Sequence, residues 1–394
     1  MTRAPEPSSR AARTVAWLWL ALVGCHGVQH PPPLAPEAAP ASSPPDTDLA
    51  PSFKEPLHGF VFLAPLSVGP GDTLHEGRLE VGGRSLRLAA DGGSYTSRIV
   101  QREQPFTDLL PSWNVAAPDS ASFRVDIRVG RAQDGYWSPW LLIGDWGTPV
   151  TTRYTLFDGG KVVVDVFESE VAWDRAQLRI EGTGGPGELE VHRTSLVFTD
   201  RRALPSRLAQ AAVEDWPAPV EVRVPVRSQR LEDPRIAGSV CSPTSVAMVM
   251  ELNGVKVPTA SLAATLLDPT HEIYGNWSRA VQGAFCSGVP GSLVRVSSWN
   301  AVAEFLKRGV PLVASIRAEP GELRGAPYTA TEGHLLVVTG IGPAGQVRVN
   351  DPAAYWPGEV RRTYLREDLE KCWFEKGGVA YAFDPVAPIA TESD

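Results

Sequence analysis

Short runs of alternating apolar and polar residues fill the chain from about residue 57 to residue 200, and they favour β structure there. Examples are Arg78–Val81, Phe123–Val129, Lys161–Val166 and Gln177–Glu181. Alternation with a period of two places successive side chains on opposite faces of a strand. Several short strands at this spacing predict an all-β sandwich domain over residues 57–200.

Glycine and proline punctuate the same region. The stretch Thr183–Glu188 reads TGGPGE. Glycine and proline clusters of this kind favour turns. The sequence therefore predicts a turn there, followed by a second strand at Leu189–Val197.

A different pattern follows residue 200. Residues 201–221 predict a short helix and a linker, and a strand-like VRVPV comes next. Two helical stretches, CSPTSVAMVMELNGV and WNAVAEFLKRGV, precede the β-rich stretches PLVASI, HLLVVTGI and QVRVNDP. Helices followed by a mostly antiparallel sheet predict an α+β domain over residues 222–390.

The length and charge of the chain agree with two soluble domains. It has 394 residues, 43% of them hydrophobic, and a formal net charge of -8. Nucleic-acid-binding domains are usually basic, so no nucleic-acid partner is expected. Residues 26–56 are rich in proline, alanine and serine, a composition that cannot bury a core, and they predict a disordered tether.

The N-terminus has the features of a targeting segment. Three arginines precede the apolar run Thr14–Gly24, which is too short to span a bilayer as a helix. The run ends in Leu22-Val23-Gly24-Cys25, which resembles a bacterial lipoprotein signal over residues 1–25. We expect lipid on Cys25 to attach the protein to a membrane. By resemblance to Gram-negative lipoproteins, His26 at the next position gives no inner-membrane retention signal. The predicted location is the outer membrane or cell surface; a plain secretory signal, giving a secreted protein, is the alternative.

Three cysteines remain beyond Cys25, at positions 241, 286 and 372. An odd number in an exported protein indicates a free thiol. A disulfide between Cys286 and Cys372, leaving Cys241 free, is one pairing that fits, although the sequence does not fix it.

Cys241 is the candidate nucleophile. It precedes Ser242-Pro243 and an apolar helical run, which places it at or beside a helix N-terminus. The positive end of a helix dipole lowers the pKa of a thiol and favours the reactive thiolate. Taken alone, the residue is better explained as a buried structural cysteine or a disulfide partner.

The partners that such a thiol needs occur later in the chain. His334 begins an apolar stretch after Gly333, where it can act as a general base, and Asp351 ends the stretch that follows. A hairpin between residues 335–341 and 346–350 would bring Asp351 to His334, where a carboxylate fixes the imidazole tautomer. Gln229, upstream of Cys241, can donate to a developing oxyanion together with the Cys241 backbone N–H.

The order Gln, Cys, His, Asp is that of papain-like thiol peptidases, and the C-terminal region resembles the C39-like peptidase family 2 of bacterial proteins. Matching stretches, which lie within residues 222–384, are VPVRSQ, CSPTSVAMV, YGNW, FLKRGVPLVASI, EGHLLVVTG, VRVNDPA, Tyr364 and Trp373. The resemblance implies a papain-like fold, with Cys241 as nucleophile, His334 as base, Asp351 as orienting acid and Gln229 in the oxyanion hole. It also implies that Asn276 and Trp277 line the substrate cleft.

Two features of the sequence depart from the family pattern, and a third bears on which function the resemblance implies. The loop between Gln229 and Cys241 is wider than in papain, and Val240 stands where many relatives have an aromatic residue. The founding C39 peptidases process leader peptides and are fused to ABC transporters, whereas this sequence has no P-loop motif. Leader processing is therefore poorly supported.

The predicted sandwich contains aromatic residues that could contact glycans, and its sequence indicates no metal site. Tryptophans 113, 137, 140 and 146 cluster there. Such side chains can stack on sugars in glycans or the cell wall, although packing in the domain is the more ordinary role. No His/Cys cluster has zinc spacing and no loop resembles a calcium site, so no cofactor or metal is expected.

The sequence predicts a cysteine peptidase that hydrolyses peptide or amide bonds of a peptide or protein substrate. Two alternatives remain open at this level. The same residues can transfer the acyl group to an amine, as in acyltransferases and transpeptidases. The chain can also be a non-catalytic binding lipoprotein of the cell envelope.

Overall fold

The computed structural model describes residues 58–62, 70–80, 85–147, 155–212 and 215–385. Cys25, the signal predicted for residues 1–25 and the tether predicted for residues 26–56 lie outside the described residues.

The N-terminal domain is built from antiparallel strands, as its alternating pattern predicts. The strand bounds are β1 His58–Phe62, β2 Thr73–His75, β3 Gly77–Leu79, β4 Leu86–Thr96, β5 Val100–Ala116, β6 Ser122–Gly130, β7 Leu141–Trp146, β8 Thr155–Phe157, β9 Gly160–Val163 and β10 Val166–Thr199. The strands join in one hydrogen-bonded sheet with the central order β2-β4-β10-β6-β7, and β1, β5 and β9 also pair with β10. Most of their buried apolar side chains form one cluster, whereas Leu110, Val166 and Val197 pack in a cluster with residues of the C-terminal domain.

The turn predicted at Thr183–Glu188 is wrong. Strand β10 continues through this stretch and stays paired with β4 on both sides of it, with register shifts between Glu181 and Thr183 and between Thr183 and Glu188. Positive φ angles at Gly184, Gly185 and Gly187 let the extra residues loop out of the ladder. The glycines therefore form an irregular bulge in one long strand.

The strand predicted over Lys161–Val166 is also interrupted. Strands β9 and β10 meet in a tight hairpin in which Val163 pairs with Val166. Val164 has a φ of 59° in the turn between them. A two-residue hairpin needs a positive φ of this kind, and a valine there gives no turn signal in the sequence.

The clustered tryptophans have different surroundings: one is buried in the domain core, and two are stacked with arginine side chains. Trp113 is buried in the domain core. The Arg128 guanidinium lies 4.7 Å from the ring centroids of both Trp137 and Trp140, and Arg179 lies 4.6 Å from that of Trp140. Guanidinium groups thus stack on these two partly buried rings and stabilise them by cation–π attraction.

The C-terminal domain follows a connection made of a 3₁₀ turn, Arg201–Ala203, and helix α1, Leu204–Ala211. Its helices are α2 Cys241–Leu252, α3 Thr259–Leu266, α4 Trp277–Cys286, α5 Trp299–Lys307, α6 Pro357–Val360 and α7 Arg366–Leu369, with a π-helical turn at Glu370–Phe374. Its strands are β11 Val220–Glu221, β12 Gly291–Arg295, β13 Leu312–Ala318, β14 Thr331–Ile341, β15 Gln346–Asn350, β16 Arg361–Leu365 and β17 Val379–Phe383.

All strand pairs of this second sheet are antiparallel, in the order β12-β17-β13-β14-β15-β16, and β11 adds to β14. Helix α2 packs on β14. The predicted α+β architecture is confirmed. In the part of the chain that the structure describes, no helix is both long enough and apolar enough to cross a membrane.

Strand β12 lies at one end of this sheet and contacts the N-terminal domain through its backbone. The Gly291 N–H donates to Asn114 Oδ1 at 3.1 Å, and the Leu293 N–H donates to Ser112 Oγ at 3.0 Å. Both acceptors belong to β5. The interface between the two domains therefore contains polar contacts that satisfy backbone donors.

Helix α4 is anchored to the N-terminal domain in the same way. The Gln282 side chain accepts from Val115 N at 2.9 Å and donates to Val115 O at 2.7 Å. The Asp165 carboxylate accepts from the Ser278 N–H at 2.8 Å, in the first turn of the helix. Burial raises the pKa of Asp165 to about 6, against the opposing effect of this hydrogen bond.

A buried ion pair crosses the interface. Asp108 of β5 accepts from Arg295 of β12 at 2.6 Å, and neither side chain is exposed to solvent. Arg201 donates to the second oxygen of the same carboxylate at 2.8 Å. Burial lowers the pKa of Arg295, with Asp108 opposing that effect.

We expect Asp108→Asn to lower the free energy of unfolding by about 3–5 kcal/mol, because it leaves a buried arginine without its counter-charge. Chemical denaturation measures the change. Asp134→Asn is the control, since Asp134 pairs with Arg131 at the surface, and we expect it to change stability little. Equal effects of the two substitutions would contradict a supporting role for the buried pair.

Candidate active site

Cys241 is the first residue of α2, as predicted. The backbone of Val240 precedes the helix with φ -102° and ψ 30°, and Pro243 lies in the first turn, where a proline removes no helical hydrogen bond. The helix behind the cysteine is almost entirely buried, whereas Cys241 itself is partly exposed. Helix α2 thus holds a partly exposed cysteine at the edge of the hydrophobic core.

His334 and Asp351 are brought together by the predicted hairpin, which is confirmed. Strands β14 and β15 pair through Val337–Asn350 and Ile341–Val347. His334 lies on β14 and Asp351 directly follows β15. The His334 Nε2 and Asp351 Oδ1 atoms are 2.8 Å apart, and the two residues are 5% and 0% exposed.

This contact fixes which nitrogen of the imidazole serves the thiol. An ionised carboxylate only accepts hydrogen bonds, so Nε2 carries the hydrogen that points to Asp351. Nδ1 is then left for Cys241, whose thiol lies close enough to the imidazole for each group to shift the pKa of the other. The three side chains form a continuous Cys–His–Asp array.

The electrostatics of the array favour an ion pair. Burial raises the pKa of the Cys241 thiol, but the hydrogen bond and positive charge of His334, together with the N–H groups of Leu335 and Ser242, outweigh burial and lower it. Burial lowers the pKa of His334, yet the charge and hydrogen bond of Asp351 raise it to about 10. A thiolate beside an imidazolium is the reactive form of a cysteine nucleophile.

The Asp351 carboxylate stays ionised despite its burial. Burial opposes the charged form, but the His334 charge and the hydrogen bonds from His334, Tyr364 and the Ala353 N–H lower the pKa of Asp351. A charged acceptor is therefore available to the imidazolium from low pH upward.

Gln229 lies beside the array in a 3₁₀ turn, Gln229–Leu231, and is 2% exposed. Its backbone N–H donates to Pro352 O at 2.9 Å, which ties it to the loop after Asp351. Its Nε2 donates one hydrogen to Ala237 O at 2.9 Å. An amide nitrogen carries two hydrogens, and this contact uses one of them.

The structure places Asn276 and Trp277 at the start of α4. Asn276 is 5% exposed and its Nδ2 donates to Asp268 Oδ2 at 2.9 Å. Trp277 is partly buried and packs against the same hydrophobic cluster as Cys241. The Asn276 amide thus supports its own loop, and a role of the pair in substrate binding stays a prediction.

Two tyrosines for which the sequence predicts no role contact the Asp351 carboxylate. The hydroxyl groups of Tyr364 and Tyr328 donate to Asp351 Oδ2 at 2.7 Å and 3.1 Å. Tyr364 is the penultimate residue of β16 and pairs with Val347 of β15, so strand order alone does not place its hydroxyl group at Asp351. Tyr328 lies in the connection between β13 and β14, where no local pattern indicates it.

The disulfide considered between Cys286 and Cys372 is absent, and all three described cysteines are free thiols. Cys286 is exposed as a residue, but its sulfur contacts the Gln282 amide, and desolvation raises its pKa to about 11. Burial raises the pKa of Cys372 to about 12. Cys241 is therefore the described cysteine whose pKa is lowered. No cluster of three or more metal-ligating side chains occurs among the described residues.

Comparisons with solved structures find distant likenesses. A double glycine motif protease from an AMS/PCAT transporter, in complex with the leader peptide, is 19% identical; the match covers 42% of this chain and 97% of that one, with a TM-score of 0.28. The peptidase domain of Streptococcus ComA, a bifunctional ABC transporter, is 16% identical over 38% of this chain and 93% of that one, with a TM-score of 0.28. A family 29 carbohydrate binding module is 12% identical over 36% and 92%, with a TM-score of 0.20. No curated protein matches the chain.

Two family models match different parts of the chain. Residues 81–191, within the N-terminal β domain, match a Peptidase C39 N-terminal domain. Residues 221–381 match the Peptidase_C39 like family, and this range contains Gln229, Cys241, His334 and Asp351. The C-terminal domain therefore matches the Peptidase_C39 like family, and the domain before it matches a Peptidase C39 N-terminal domain.

Proposed function

We propose that this protein is an exported cysteine peptidase that hydrolyses peptide or amide bonds through an acyl-enzyme on Cys241. The observation that carries the proposal is the 2.8 Å contact between the buried His334 imidazole and the Asp351 carboxylate, with the Cys241 thiol close enough to His334 for the imidazole to lower its pKa. The family match agrees with peptidase chemistry.

The proposed reaction begins with the thiolate of Cys241 attacking the substrate carbonyl carbon. The carbonyl oxygen gains negative charge, and the Cys241 N–H and the Gln229 amide stabilise it. The proton on His334 Nδ1 passes to the leaving amine as the C–N bond breaks, which yields the acyl-enzyme. Water then attacks the thioester, His334 takes its proton, and the acid product leaves with the thiolate restored.

We expect Cys241 to be alkylated by iodoacetamide rapidly at pH 6, where an ordinary thiol with a pKa of about 8.5 is ionised to less than about 1%. The pKa of Cys241 is lowered, so its thiolate persists to lower pH than an ordinary thiolate and its reactivity is lost only on further acidification. His334→Ala should slow the reaction at pH 6 about tenfold or more, because each unit by which the pKa rises lowers the thiolate fraction about tenfold.

Mass spectrometry of the alkylated peptides measures all three thiols in the same sample. Cys286 and Cys372 serve as internal controls, because their pKa values are raised. A Cys241 that reacts no faster than Cys286 at pH 6, or an unchanged rate in His334→Ala, would contradict the ion pair and the proposed function.

We expect Gln229→Ala to lower kcat/KM for hydrolysis of fluorescein-labelled casein by about 10²–10³, because one oxyanion donor is lost. Alkylation of Cys241 should change little, since displacement of iodide forms no oxyanion. Gln177→Ala, which removes a buried glutamine of the N-terminal domain, is the matched control. A parallel loss of hydrolysis and alkylation would show that Gln229 supports the thiolate instead.

We further propose that lipid on Cys25 anchors the protein in the cell envelope, with the peptidase domain outside the cytoplasm. Support comes from the lipoprotein-like sequence Leu22–Cys25 after a short apolar run. Metabolic labelling with an alkyne fatty acid should mark the wild-type protein and Cys286→Ser but not Cys25→Ser. Label that persists in Cys25→Ser would place the lipid elsewhere or point to non-specific labelling.

A further inference from the structure

Both oxygens of the catalytic carboxylate are occupied by donors. Asp351 Oδ1 is 2.8 Å from His334 Nε2 and accepts from the Ala353 N–H at 2.9 Å. Asp351 Oδ2 accepts from the hydroxyl groups of Tyr364 at 2.7 Å and Tyr328 at 3.1 Å. Four donors therefore converge on one buried side chain.

Such a set selects one protonation state of Asp351. An ionised carboxylate offers only acceptors and can satisfy all four donors, whereas a protonated carboxyl group would turn its own hydrogen toward one of them. Hydrogen bonds from hydroxyl groups to a charged carboxylate are also stronger than those between neutral groups. The two tyrosines therefore favour the ionised form that an imidazolium needs.

Each tyrosine is itself well suited to act as a permanent donor. Burial and the nearby Asp351 charge raise the pKa values of both phenols, so both hydroxyl groups keep their hydrogen. The Tyr328 ring also packs edge-on against the His334 imidazole, with centroids 5.0 Å apart. One tyrosine thus contacts the acid and the base of the array together.

The simpler role for the Tyr364 hydroxyl group would be to link β16 to β15 by a hydrogen bond. These two strands are already paired without it. Strands β15 and β16 already pair along five consecutive positions, from Gln346–Leu365 to Asn350–Arg361. The hydroxyl group of Tyr364 donates to Asp351, which follows the last residue of β15 and so lies outside these paired positions.

We propose that Tyr364 and Tyr328 are positioning residues for catalysis. They hold Asp351 ionised and oriented, so that His334 keeps its Nε2 hydrogen on Asp351 and its Nδ1 toward Cys241. The inference rests on the proposed peptidase function and adds two residues that act on the reaction through Asp351.

The charged and titratable groups around Asp351 come from several elements. His334 faces it from β14, and Cys241 lies beyond His334 at the start of α2. Tyr364 faces it from β16, where Arg362 also acts on the Tyr364 phenol, and Tyr328 faces it from the loop before β14 with the Cys372 thiol nearby. In a tyrosine-to-phenylalanine variant all the other groups remain.

The test is the pH dependence of Cys241 alkylation by iodoacetamide between pH 3 and pH 8 in Tyr364→Phe, a reaction that needs no peptide substrate. Loss of one donor raises the pKa of Asp351. Asp351 then takes up a proton at higher pH, imidazolium loses its counter-charge, and the thiolate is lost with it. We expect the acid limb of the profile to move upward by about one pH unit.

Tyr328→Phe, which keeps the ring against His334, should give a smaller shift because its hydroxyl is further from Asp351. Tyr95→Phe is the matched control, since Tyr95 is a buried tyrosine whose hydroxyl donates to Asp72 at 2.8 Å in the N-terminal domain. Its profile should coincide with that of the wild type. Thermal melting of each variant checks folding, and Tyr328→Phe decides the question if Tyr364→Phe does not fold.

The outcomes separate the two proposals. If wild-type Cys241 reacts no faster than Cys286 at pH 6, the peptidase function itself fails. If the wild type reacts rapidly and the folded tyrosine variants keep the wild-type acid limb, the positioning role is overturned while the peptidase function stands. An equal loss of rate at every pH would assign the tyrosines to structure alone and also overturn the inference.

Discussion

The hydrogen bond between His334 and Asp351 is the interaction on which the candidate site depends. It is 2.8 Å long and buried, and it exists because the β14–β15 hairpin returns the chain to the same end of the sheet after a short turn. Without the carboxylate, burial would favour the neutral imidazole and the thiol of Cys241. The geometry of one hairpin thus determines the charge of a residue on a helix more than ninety positions earlier.

Much of this site is readable in the sequence because its elements are local. The helix start at Cys241 follows from Pro243 and the apolar run behind it, and the hairpin follows from two apolar stretches around a Gly-Pro turn. The contacts of Tyr328 with Asp351 and His334 depend on how a loop between β13 and β14 folds back. No local pattern encodes such a return, so the sequence gives no sign of this residue.

Features of the N-terminal domain that the sequence does not predict also depend on contacts between distant parts of the chain. Glycines at 184, 185 and 187 are ordinary turn signals, but β4 pairs with the chain on both sides of them and keeps it extended. A long-range ladder overrides the local preference. Likewise Asp108, Ser112 and Asn114 look like the polar face of an alternating strand, whereas they are buried against the second domain.

The polar face of β5 has a consequence for the solubility of the peptidase domain. Strand β12 lies at the end of its sheet, and the Gly291 and Leu293 N–H groups that point away from β17 are taken by Asn114 and Ser112. Unpaired groups on a terminal strand are a template for association with another chain. The N-terminal domain therefore acts as an edge cover, and a peptidase domain separated from it would present an open strand through which copies can join.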